Sequence, residues 1–187
     1  MNDVIFLYDQ AIEHIVRLHG FCSSTRRDLG EDGDVQDDVD GVADLLAKRD
    51  LLTFSASLRN FAEAAKAVQD MRQLRVSICK LIAPPQAPYF IESGETLSLY
   101  QVLSRILHSH RLSIFRSSYD FGLATAKTDE EYFSIPSQPI YQSETLLVAQ
   151  TEQDQPTAVA LRTLIQSACS FLGPVSERLH ITQRDDR

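Results

Sequence analysis

Cysteine is scarce in this 187-residue chain, and the three present, Cys22, Cys79 and Cys169, are odd in number and far apart. That spacing excludes a disulfide framework and a paired-cysteine zinc site, so the thiols are expected to be reduced and buried. Basic residues are also outnumbered, 18 Lys and Arg against 26 Asp and Glu, giving a net charge of −8. Nonspecific nucleic-acid affinity comes mainly from clustered Lys and Arg, so a broad phosphate-binding surface is excluded and only a local basic cleft remains. No apolar run approaches the roughly twenty residues that span a bilayer, and no basic region precedes the apolar residues of the amino terminus, MNDVIFLYDQ. A cytoplasmic protein with no membrane segment is expected. No Gly-x-Ser-x-Gly elbow, phosphate-binding glycine loop or His-Glu-x-x-His signature occurs, which removes motif support for hydrolase, nucleotide-triphosphatase and zinc-protease chemistry. No metal or cofactor is expected.

What is present is ordinary globular composition, 43% hydrophobic and 24% charged, sufficient for one domain over 1–187 with its own core. Ile5, Tyr8, Ile12, Ile15 and Val16 recur at helical steps, predicting a first helix that ends near Gly20. The acidic stretch near 23–38, with Gly30 and Gly33, reads as a mobile loop. Its Asp38-Val-Asp40-Gly41 resembles part of a calcium loop, but Gln36 and Ala47 fall where the first ligand and the bidentate glutamate belong. A solvated loop, with Asp37 or Asp38 capping the next helix, is the better reading. Helical spacing resumes from Val39 to about Met71, as one helix or two with a break, and a short apolar stretch over 74–82 stops at Pro84-Pro85.

Ser93-Gly-Glu-Thr96 offers a start for a central helix over 96–110, with Leu99, Val102, Leu103, Ile106 and Leu107 as its buried stripe. Strands are predicted near 112–117, 144–150 and 157–161, with a long excursion over 133–142 and a hairpin-type connection at 151–156. A closing helix runs over 161–172 and stops at Gly173-Pro174. The fold class is therefore mainly α. It is expected to be a helical bundle of about four to five helices with a small C-terminal antiparallel hairpin or three-stranded sheet in a β-rich section near 111–161.

The central helix carries the residues best suited to chemistry. At about 100° per residue Arg105 and His108 share a face away from the apolar stripe, whereas His110 projects in line with Leu99 and Ile106, buried or at the helix end. An accessible Arg–His pair suits RNA cleavage, because histidine transfers protons near neutral pH and arginine stabilises charge on a phosphoryl group. The same pair also serves simply to solvate an outer helix face. His14 and His19 lie on different faces of the first helix, and His180 lies in the tail.

Arg105-Ile-Leu-His-Ser-His110 resembles the Arg, four residues, His motif of HEPN domains, with Ile106 where that family commonly carries a polar residue. The order of elements from Val4 to Leu172 is similar as well. The resemblance implies a helical, dimerising protein, in many members a metal-independent RNase of toxin or defence systems, with Arg105 and His110 as the catalytic pair. Helical projection favours Arg105 with His108, so all three residues stand as candidates. Arg59-Asn60 resembles the opening of the same motif but meets Ala64 where histidine belongs, so Arg59 reads as a surface residue or a salt-bridge partner. The expected partners are a second copy of the chain, with RNA or another protein as ligand. A noncatalytic interaction or regulatory domain, binding through the acidic loop and hairpin, is the alternative.

Overall fold

The first long helix, α1 (Asn2–Ser23), buries Ala11, Ile15 and Leu18 along one stripe, which is the spacing that makes a helix worth forming when a partner covers it. The computed structural model that provides this description covers residues 2–23, 33–81, 90–117, 128, 130, 141–152 and 156–181. Helix α2 (Gly33–Ala64) supplies the cover, with Ala47, Leu51, Phe54, Leu58, Phe61 and Ala62 buried against α1 and the rest of the core. His14 Nδ1 lies 3.2 Å from Asp50 Oδ1, and Arg17 donates to the same carboxylate at 3.4 Å, tying the two helices side by side. Two expectations are corrected by these helices. α1 passes Gly20, and residues 33–38 of the supposed acidic loop belong to α2, where Asp34, Asp37 and Asp38 fall in the first two turns, the helix end that favours acidic residues. The remainder of that loop, 24–32, lies outside the described residues.

α2 ends where the chain reverses handedness. Lys66 has φ 54°, Lys66 N–H donates to the Glu63 carbonyl at 3.1 Å and Ala67 N–H to the Ala62 carbonyl at 2.7 Å, a Schellman closure. Lysine at that left-handed position carries a steric cost that glycine does not, so Lys66→Gly is expected to stabilise the fold by about 1 kcal/mol in urea denaturation. After this break comes the short α3 (Val68–Gln73), and so the expected 39–71 helical stretch is two helices.

β1 (Arg75–Leu81) and β2 (Phe90–Ser98) follow, neither expected from the sequence. They pair antiparallel with an irregularity: Ser77 stands opposite Thr96 and Cys79 opposite Glu92, so residues 93–95 face Ile78 alone. The Ser-Gly-Glu sequence that resembles a helix start is this bulge, a place where glycine is common. Helix α4 (Leu99–Leu107) begins later than expected, at a capping box in which Ser98 Oγ accepts from Gln101 N at 3.2 Å and the Ser98 N–H donates to Gln101 Oε1 at 2.9 Å. Ser98→Ala removes the acceptor while leaving a buried position intact, and a loss of about 1 kcal/mol in chemical denaturation is expected.

β3 (Arg111–Ser117), β4 (Tyr141–Gln150) and β5 (Thr157–Ala160) are close to the predicted strands, and β4 and β5 form the expected hairpin. All five strands join one antiparallel sheet in the order β2-β1-β5-β4-β3. The chain is thus mostly helical with five helices among the described residues, but its sheet is five-stranded and begins at residue 75, not a small C-terminal hairpin. The expected excursion at 133–142 and the Pro84-Pro85 linker lie mainly outside the described residues.

The last helix, α5 (Leu161–Arg178), continues through Gly173-Pro174 instead of stopping there. Its apolar stripe explains why: Phe171, Leu172 and Val175 are all buried, so the packing continues across the proline, whose own ring is exposed. Phe61 of α2 sits with its ring centroid 5.8 Å from Tyr8 of α1 and 6.2 Å from Phe171 of α5, fastening three helices at one point. α4 packs between α2 and the sheet, burying Leu99, Val102, Leu103 and Ile106. The cysteines are less enclosed than expected, with Cys22 and Cys79 half-buried and Cys169 exposed.

Candidate functional site

With one face of α4 committed to the core, Tyr100, Gln101, Ser104 and Arg105 remain on the other, and His108 closes the helix as its C-cap. The helix does not continue to His110. Ser109 Oγ donates to the Ile106 carbonyl at 2.7 Å, and the His110 N–H donates to the Gln150 carbonyl at 3.0 Å, so the chain turns across the end of β4 before entering β3. This turn overrides the helical projection that set His110 in line with Leu99 and Ile106: His110 is exposed, and so is His108.

Arg105, His108 and His110 consequently line one open cleft of about 560 Å³, together with Ser104, Leu107, Ser109, Thr151 and Glu152. That volume lies in the range of small-ligand sites. Three stretches build it: the end of α4, the turn over 108–110 that leads into β3, and Thr151 and Glu152 just after β4. Arg105 is half-buried and its Nη1 donates to Thr157 Oγ1, a buried hydroxyl at the beginning of β5, which restrains a side chain that is otherwise flexible. The result is a cation held at the cleft wall beside two solvent-accessible imidazoles. Such a set can bind a phosphate oxygen and exchange protons with groups on either side of it.

Sequence reasoning missed Thr157, Thr151 and Glu152. They stand more than forty positions from Arg105, and only the sheet order brings them to α4. The other sequence candidates go elsewhere. His14 is buried in the α1–α2 contact with Asp50, and His180 has φ 54° in the turn that closes α5. Asp40 and Gly41 sit within α2, so the calcium-like stretch has no loop to wrap an ion. Among the described residues no group of three or more His, Cys, Asp or Glu is placed to hold a metal. Partial burial pushes the Cys169 thiol up from its ordinary value, the opposite of nucleophile activation. Arg59 is not a plain surface residue and has no salt bridge among the described residues: it is half-buried and donates from Nη2 to the Tyr100 hydroxyl at 2.8 Å.

No protein-family model matches the chain, and no curated protein or solved structure is significantly similar to it. None of the described helices is long and apolar enough to cross a membrane.

Proposed function

We propose that this chain is a HEPN-like protein that binds RNA in the α4 cleft and cleaves it without a metal ion. The observation that carries the reading is the convergence of Arg105, His108 and His110 on one cleft, although the last of them lies beyond the helix. On this reading α1, α2 and α5, packed around Phe61, correspond to the family's helical bundle, and the sheet is an elaboration beside it. One histidine takes the proton from a ribose 2′-hydroxyl as the 2′-oxygen attacks the adjacent phosphorus. The bond to the 5′-oxygen breaks, and the second histidine protonates that leaving oxygen. Arg105 stabilises the charge gathering on the nonbridging oxygens. The products are a 2′,3′-cyclic phosphate and a 5′-hydroxyl, so atoms and protons balance without any co-reactant. The protein acts in the cytoplasm, in a defence or toxin setting, as a homodimer. A monomeric mass at micromolar concentration in sedimentation would contradict the dimer.

The test is cleavage of single-stranded RNA by the full chain against Arg105→Ala and His110→Ala; loss in both supports the assignment, and unchanged cleavage removes it. A second reading, a noncatalytic interaction or regulatory domain, is favoured by one observation. Val42, Leu45, Leu46 and Leu52 of α2 are exposed aliphatic residues, and exposed apolar patches often mark interaction surfaces. Retention of a protein partner by a bait that takes up no RNA, with binding abolished by Leu45→Glu, would select this reading.

A further inference from the structure

The other end of α4 carries a second cationic cluster that the cleft does not use. The guanidinium carbons of Arg59 (α2) and Arg72 (α3) lie 4.6 and 4.9 Å from the centroid of the same ring, Tyr100 in the first turn of α4. One arginine over a tyrosine is a stable arrangement; two bring like charges together around it. Among the described residues neither arginine has a carboxylate partner, and the nearby Asp70 is occupied by Arg178 at 2.8 Å. Arg59 Nε is buried without a hydrogen-bond partner. Arg72 is exposed, and its guanidinium donors have no partner among the described residues. In a chain of net charge −8, two guanidinium groups on one ring, with no carboxylate partner among the described residues, concentrate positive charge where an anion would be held well.

Its position relates it to the cleft. Tyr100, Ser104 and His108 follow one another at four-residue steps along the side of α4 away from the core, so a strand leaving the cleft over His108 and Ser104 runs toward the cluster, with Arg105 turned further round the helix on the cleft side. Tyr100 precedes Arg105 by five residues and His108 by eight, which is about 7.5 and 12 Å along the helix axis. At about 3.4 Å per stacked nucleotide that is about two to four nucleotide steps.

We infer that Arg59, Arg72 and Tyr100 form a second phosphate subsite for the strand bound in the cleft, so that the substrate is a single-stranded RNA of several nucleotides and not a mononucleotide. This inference rests on the RNA reading of the cleft. Arg72 contributes the exposed contact and Arg59 the fixed one, held by the Tyr100 hydroxyl.

The probe is a labelled 2′-O-methyl oligouridylate of about twelve nucleotides, which fits the span of typical single-strand sites and cannot be cut. Its affinity for the full chain is measured by fluorescence anisotropy across a salt series, for wild type and Arg72→Gln. The exposed Arg72 can be changed without disturbing the core. The expected result is roughly tenfold weaker binding, with the slope of log K against log salt smaller by about 0.7, as removal of one phosphate contact requires. Cleavage of unmodified RNA by Arg105→Gln is measured alongside. If Arg105→Gln abolishes cleavage while Arg72→Gln leaves affinity and slope unchanged, the subsite is overturned and the RNA reading stands. If wild type neither binds nor cuts RNA, both fall.

Discussion

His110→Ala is expected to lower the rate of the proposed RNA cleavage by about 10²- to 10⁴-fold, and His108→Ala to do the same, because on that reading each removes one of two proton transfers. Both side chains are exposed, so neither substitution disturbs the core and circular dichroism of the variants should match wild type. The loss is expected in kcat more than in KM, since a proton transfer is made in the transition state. The double variant should be little worse than either single one, as groups that act in one step are not additive. Arg105→Gln costs about 10²- to 10³-fold for the removed charge. Thr157→Val separates orientation from charge: the guanidinium remains but loses its anchor on β5, so a smaller fall is expected, restored by Thr157→Ser. Single-turnover assays with excess protein read these effects directly, without product release intervening.

The second large effect is on stability. Phe61→Ala is expected to destabilise the protein by about 3–5 kcal/mol, because a fully buried ring that touches Tyr8 and Phe171 is replaced by a void between α1, α2 and α5. Domains of this size commonly have only about 5–15 kcal/mol in total, so the variant should melt about 6–20 °C lower. Leu52→Ala on the same helix serves as the comparison. Leu52 is 41% exposed, and its truncation should change stability by no more than about 0.5 kcal/mol. Equal losses at the two positions would mean that the Phe61 packing does not fasten the three helices.

Helices are legible in the sequence wherever one stripe of apolar residues meets one core, as in α1, α2 and the interior of α4. Their ends are not. At α4 the local cue at Ser93 competes with the true cap at Ser98, and the pairing of Ser98 with Gln101 is the signal that separates them. At α5 the Gly-Pro pair reads as a stop, yet Phe171, Leu172 and Val175 keep the stripe in the core on both sides of it. The strands β3 to β5 show apolar and β-branched runs. β1 and β2 escape such a reading because β1 runs into prolines, and because β2 holds a three-residue bulge that looks like a helix start. Arg105 and His108 are legible as neighbours on a helix face. The place of His110 is not, since its hydrogen bond to Gln150 joins residues forty positions apart, which no periodicity contains. Arg59 is hidden in the same way: its partner Tyr100 lies forty-one positions away.

The most direct measurement is cleavage of a single-stranded RNA by the purified full chain in excess EDTA, with the ends of the products identified. Wild type should yield 2′,3′-cyclic phosphate and 5′-hydroxyl ends, a substrate carrying 2′-deoxyribose at the cut position should resist, and the His108→Ala, His110→Ala double variant should cleave at least about 10²-fold more slowly. Equal cleavage by wild type and double variant, or an RNA left intact by wild type, would contradict the assignment of the α4 cleft as a cleaving site.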